Sequence, residues 1–160
     1  MIIDAYNLFG EDVDVAQAAG TYNFTNVIDL SVARDVGNGQ PLYVVFLCTG
    51  GDDGIITGGS AGTITFQVVS DASASIATDG TQSVHLRSKA FVTDGNDANE
   101  IDKNEVIWVA ALPVEYVDET YERYLGVQAV VATTTTTEGT VTAFLTFDPH
   151  GWKSYADATN

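Results

Sequence analysis

Hydrophobic positions along the chain fall into two patterns, strict alternation and short unbroken runs, and both have the length of β-strands. The cleanest alternation is Thr63-Ile64-Thr65-Phe66-Gln67-Val68, with Ile64, Phe66 and Val68 on one face and Thr63, Thr65 and Gln67 on the other. Gln82 to Arg87 repeats it through Val84 and Leu86. Leu42 to Thr49 and Val106 to Leu112 are nearly all apolar, the pattern of strands buried on both faces. Thr25 to Leu30, Tyr124 to Ala132 and Thr140 to Phe147 complete the series.

The intervening segments are turn-formers. Arg34 to Pro41 combines Gly, Asn, Asp and Pro, and Gly50-Gly51-Asp52-Asp53-Gly54 and Gly58-Gly59-Ser60 follow the second strand. Ser70 to Gly80, the polar stretch Asp94 to Glu105 and Thr133 to Gly139 separate the later strands. Acidic Val114 to Glu122 is the one place suited to a helical turn. Seven or eight short strands without a βαβ rhythm predict an all-β fold, a jelly-roll-like β-sandwich of about eight antiparallel strands. The expected organisation is one domain over 1–160, with a short N-terminal arm (1–24) and a C-terminal tail (148–160).

Composition reinforces the β reading, because Thr and Val number 19 each against 8 Leu and a single Met. Charge excludes partners instead. Asp and Glu total 22 against 6 Lys and Arg, a net charge of −16, and Arg34, Arg87, Lys89, Lys103, Arg123 and Lys153 are scattered. Nucleic acid and anionic membranes both require clustered cations, so neither is an expected partner. The start Met1-Ile2-Ile3-Asp4-Ala5-Tyr6 has no basic region followed by an apolar one, and the longest apolar run is far below a bilayer span. A soluble protein made in a cytosol is expected.

Candidate chemistry is sparse. Cys48 is the sole cysteine and sits inside an apolar run, as a small buried hydrophobe does. His85 and His150 share no metal-ligand spacing, and His85 is out of phase with Val84 and Leu86, which predicts a solvated strand position. No Gly-x-Ser-x-Gly is present, and no lysine follows the glycine-rich runs where a phosphate loop needs one. Carboxylate pairs such as Asp52-Asp53 and Glu115 with Asp118-Glu119 read as solvated surface in so acidic a chain. Asp94, Asn96, Glu100, Asp102 and Glu105 fall at positions 1, 3, 7, 9 and 12 of a calcium loop, with Ile101 at its apolar position. Ala98 and Asn99 break that pattern where a ligand and a turn-forming Gly belong, so no metal and no cofactor is expected. The chain ends are more informative. Ile3, Tyr6, Leu8 and Phe9 precede the strands and Trp152 and Tyr155 follow them, as core packing or as interface anchors.

Several blocks, in order, carry a family resemblance. They are Met1 to Phe9, Thr25 to Leu30, Arg34 to Val45, Thr65-Phe66-Gln67-Val68, Glu122-Arg123-Tyr124-Leu125-Gly126-Val127 and Gly139 to Thr146. Together they resemble the capsid cement, or decoration, proteins of short-tailed Bordetella-type phages and related prophages. Departures lie at 50–60, at 94–105 and after Phe147. The resemblance implies a jelly roll that oligomerises, as a dimer or trimer on a capsid symmetry axis. It implies that this oligomer sits on the outer surface of an icosahedral capsid and clamps neighbouring major capsid subunits. It supplies no active site, so the expectation is a non-enzymatic virion protein. A jelly-roll carbohydrate-binding module, calcium-assisted through Asp94 to Glu105, is the alternative from another class.

Overall fold

In the computed structural model, residues 5–33, 36, 39–59, 61–94, 101–114 and 120–149 are described. Eight strands carry the architecture: β1 (Leu8–Asp14), β2 (Gly20–Asn23), β4 (Tyr43–Gly50), β6 (Thr63–Asp71), β7 (Ser83–Arg87), β8 (Val106–Ala111), β9 (Tyr124–Ala132) and β11 (Thr140–Thr146). Three short ones accompany them: β3 (Ile28–Asp29), β5 (Ile56–Thr57) and β10 (Thr136–Glu138). The first sheet has the order β1-β11-β4-β8 and the second β2-β9-β6-β7, with β3 also on β9 and β5 pairing with β10. Every pairing is antiparallel. Leaving out the three short strands, the first sheet takes the first, eighth, third and sixth in chain order, and the second sheet takes the second, seventh, fourth and fifth. That interleaving is the jelly roll.

Alternation explains which side chains meet between the sheets. Val44, Phe46 and Cys48 of β4 and Val141, Ala143 and Leu145 of β11 point inward, against Ile64, Phe66 and Val68 of β6 and Leu125, Val127, Ala129 and Val131 of β9. Phe46 is the hub of this layer. Its ring lies 5.0 Å from that of Phe66, 5.5 Å from Trp108 in a stacked arrangement, and 6.0 Å from Phe24 edge-on. Such pairs add to simple burial because the ring quadrupoles favour offset and edge contacts. Tyr124 to Ala132 is a strand as expected, and the other long predicted strands differ only at their ends.

Two regions depart from expectation. From residue 8 onwards the expected N-terminal arm is built into the sandwich, because β1 joins the first sheet and β2 the second. Their strand character is hidden because β1 shifts register twice against β11 and Asp12 adopts φ 50, which breaks the two-residue period. Asn26 then ties the edges together: its N–H donates to the Phe9 carbonyl at 2.7 Å and its side-chain amide to that of Leu8 at 3.2 Å. Of the strand read at Thr25 to Leu30, only Ile28–Asp29 pairs in the sheet. The glycine-rich turn is a place of close approach. Gly54 has φ 81, and a Cβ there would collide with the Ile101 carbonyl oxygen. Most of the expected helical turn, residues 115–119, lies outside the described residues; among those described, the helical turn is Ala5–Asn7.

Phe46→Ala should cost about 3–5 kcal/mol in denaturant unfolding, since it removes the ring on which three aromatics pack. Phe147→Ala, at an exposed position, should stay within about 0.5 kcal/mol of the parent. Equal losses in the two variants would contradict this placement of the core.

Candidate interaction surface

Antiparallel pairing gives the sandwich two ends. At one, β4 begins and β1 begins beside the end of β11; the described parts of the connections 30–42, 72–82 and 112–123 also lie here. At the other, β4 finishes at Gly50, and 15–19, 133–139 and the described parts of 51–62 and 88–105 gather. Five large hydrophobic side chains are exposed among the described residues: Tyr6 at 86%, Phe147 at 58%, Val32 at 56%, Val114 at 45% and Val109 at 36%. All five belong to the first end. Tyr6 precedes β1, Phe147 follows β11, Val32 lies between β3 and β4, Val114 follows β8, and Val109 is near the finish of β8.

The two outer faces of the sandwich differ in kind. On the first sheet, Leu8, Phe144, Val45 and Val109 stand directly opposite one another across four strands, an apolar row ending at exposed Val109. On the second sheet the corresponding row is Asn23, Gln128, Gln67 and Arg87. The Gln128 carbonyl accepts from Gln67 at 2.7 Å and Gln82 at 3.0 Å, and its NH2 donates to the Asn23 side chain and the Ala77 carbonyl, both at 2.7 Å. Arg87 closes the row with two hydrogen bonds to Gln67. The loop after β6 lies over this face, and Asp71 accepts from its Ser73 and Ala77 amides. One outer face is thus polar and closed by a hydrogen-bonded network, whereas the other is apolar, with Val45 and Phe144 fully buried, Leu8 half-buried and Val109 exposed.

The residues singled out in the sequence separate accordingly. Tyr6 is exposed at the apolar end, and Leu8 is half-buried in the apolar row. Phe9 is fully buried in the inter-sheet core, so as a contact residue it is corrected to a packing residue; it points inward because Leu8, its neighbour, points out. Ile3, Trp152 and Tyr155 lie outside the described residues, as do Asn96 and His150. Asp102 and Glu105 close a tight turn: the Asp102 N–H donates to the Glu105 carboxylate and the Glu105 N–H to the Asp102 carbonyl, each at 3.2 Å. Among the described residues, Asp94, Asp102 and Glu105 belong to no group of three donors able to hold a metal ion.

His85 is the side chain that periodicity misplaced. It is 6% exposed, its ring stacks on Tyr121 at 4.0 Å, and its Nε2 lies 2.7 Å from the Ser70 hydroxyl. Ser70 Oγ already accepts the Glu122 amide at 2.9 Å. Ser70 shares the inward phase of Ile64, Phe66 and Val68, and Tyr121 belongs to the core, so His85, the extra residue where β7 shifts register against β6, is turned to the inter-sheet side. Nothing in the local sequence of β7 reports that bulge. Ser70 is wholly buried, so the pair ties strands together in a place without access for a substrate.

Acidic side chains stand at both ends of the sandwich, with Asp71, Asp79, Glu122 and Asp148 at the apolar end beside Asp29. Asp14, Asp52, Asp53, Asp102, Glu105 and Glu138 gather at the Gly50 end, where the Asp52 N–H donates to Glu138 at 2.8 Å. At the apolar end Asp29 is neutralised by Arg123 through two hydrogen bonds of 2.9 and 2.8 Å. Chiefly through these bonds to Arg123, and also through the Ser31 amide, the Asp29 carboxyl is held down at about 2. Because the folded value lies below the unfolded one, the pair stabilises fully above about pH 4 and its contribution is lost as pH falls towards 2. Arg123→Met should raise the Asp29 carboxyl towards its ordinary value in an NMR titration, short of it while the Ser31 amide still donates, and an unmoved value would show that Arg123 is not the main cause. Cys48 is buried, which pushes its thiol up to about 11. It should resist alkylation at pH 8 in the native protein and react on unfolding, as a timed thiol assay would show.

A sequence model of the Bbp16 family matches residues 13–145, which is 133 of the chain's 160 residues counted inclusively. No curated protein matches the chain at a significant level. The match spans the interval from Val13 in β1 to Leu145 in β11 and so takes in the jelly roll from its first strand to its last. The chain belongs to the Bbp16 family of phage-related proteins.

Proposed function

We propose that this chain is a capsid cement protein: a non-enzymatic virion component that binds the outside of an icosahedral phage shell and clamps neighbouring major capsid subunits. The observation that carries the reading is the gathering of all five exposed large hydrophobics among the described residues at one end of the sandwich. Tyr6 and Phe147 are the aromatic anchors of that surface, and tyrosine above all is the kind of residue that concentrates binding energy at interfaces. Membership of a phage-related family adds support.

The physics of the role is simple. A packed genome loads the shell outward, and the seams between capsomers are where it parts. A rigid body bound across a seam must lose its own contacts before the subunits separate. Copies arranged on a symmetry axis bind at high effective concentration, so a modest single interface still holds firmly. An acidic coat opposes trapping on DNA and limits premature clustering.

Purified protein added to shells that lack it should cosediment at a fixed ratio to the major capsid protein. The double variant Tyr6→Asp, Phe147→Asp should bind at least about tenfold more weakly while keeping its melting temperature. Undiminished cosedimentation of that variant would remove the apolar end from the contact, and no cosedimentation of the parent would end the cement reading.

A further inference from the structure

β1 and β2 are edge strands of different sheets, and residues 15–19 carry the chain from one to the other. Between these two edges lies a cleft of about 100 Å³. Its floor is apolar, made by buried Val15, Phe24 and Val131. Tyr22 forms one wall, and its hydroxyl is held by the Ala18 carbonyl, to which it donates at 3.0 Å. Asp14 and Gln17 stand at the rim. Neither the exposed hydrophobics of the apolar end nor the buried amide row has a part in it.

The rim is rich in acceptors. Asp14 is exposed, and its Oδ1 accepts the Ala16 amide at 2.8 Å, while Oδ2 forms no hydrogen bond among the described residues. Gln17 is pinned by its backbone: its N–H donates to the Val15 carbonyl and its carbonyl accepts the Thr136 N–H, each at 2.9 Å. Its side-chain amide is not spent on those contacts. The chain supplies no cation to this rim. Among the described residues the one ion pair is Arg123 with Asp29; Arg87 is bound to Gln67, and Lys89 lies over the Phe91 ring.

We propose that this cleft binds an arginine side chain presented by a partner protein. Arginine has the two parts that the cleft calls for, an alkyl stem that covers apolar surface and a planar guanidinium that stays charged. The stem lies on Val15, Phe24 and Val131. The guanidinium faces the Tyr22 ring and donates to Asp14 Oδ2 and to the Gln17 amide oxygen. Charge complementarity selects this occupant: a chain of net charge −16 repels an acidic ligand, and an apolar one leaves the Asp14 carboxylate unanswered. Lysine brings the charge without the fork, and its ammonium holds its water more tightly. The inference goes beyond the capsid reading and stands without it.

An NMR titration of the valine-methyl-labelled protein with Nα-acetyl-arginine amide tests it. Saturable shifts should appear at Val13, Val15 and Val131, which line the cleft, with a dissociation constant on the order of 1 mM, the strength that one side chain supplies. The citrulline analogue, of the same shape without the charge, should bind at least about threefold more weakly, as the loss of an exposed charge pair dictates, and the lysine analogue should also bind more weakly. Asp14→Asn should weaken arginine amide by a similar factor at an unchanged melting temperature, because asparagine keeps an oxygen for the Ala16 amide. Shifts that do not saturate at these valines, equal or tighter binding of the citrulline or lysine analogue, or an affinity untouched by Asp14→Asn overturns the proposal.

Discussion

The amide of Gln128 fixes the character of the whole molecule. It sits wholly buried on the outer face of the second sheet, and its four hydrogen bonds reach Asn23, Gln67, Gln82 and Ala77. A buried amide group left without a partner costs about 1–3 kcal/mol, so the loop that carries Ala77 and Gln82 is held over the sheet by that demand. Cross-strand neighbours on β2, β6 and β7 are aligned by the same row. The consequence is asymmetry: with one outer face closed by the chain's own polar network, the exposed large hydrophobics among the described residues gather at one end.

What the amino-acid sequence disclosed follows from how local each signal is. Ile64, Phe66 and Val68 alternate with polar residues, and all three are fully buried, because the two-residue period is a property of the strand itself. Which strands neighbour one another is not local. Leu42 to Thr49 and Val106 to Leu112 read alike as doubly buried runs, yet β4 has strands on both sides and β8 on one only. His85 has the phase of an exposed residue, yet a bulge turns it inward against Tyr121, almost forty positions along. Phe9 and Tyr6 look equivalent in the sequence, three residues apart, yet Phe9 lies in β1 and turns into the core whereas Tyr6 sits in the helical turn before it and is left in water.

The glycine-rich stretch illustrates the same limit in another way. Its composition reads as a mobile or partner-contacting loop, yet Gly54 is glycine because the Ile101 backbone passes too close for any Cβ. Ile55 then bridges to Ile101, its N–H donating to the Ile101 carbonyl at 3.0 Å. The turn of Asp102 and Glu105 is therefore shaped by packing against the 50s loop. Asp102 and Glu105, which matched part of a cation loop in spacing, are exposed residues on the flank of a buried isoleucine.

Charge and edge geometry meet at β8. A chain of net charge −16 resists association at long range, and that resistance makes an uncharged, unguarded edge tolerable where a neutral protein would aggregate through it.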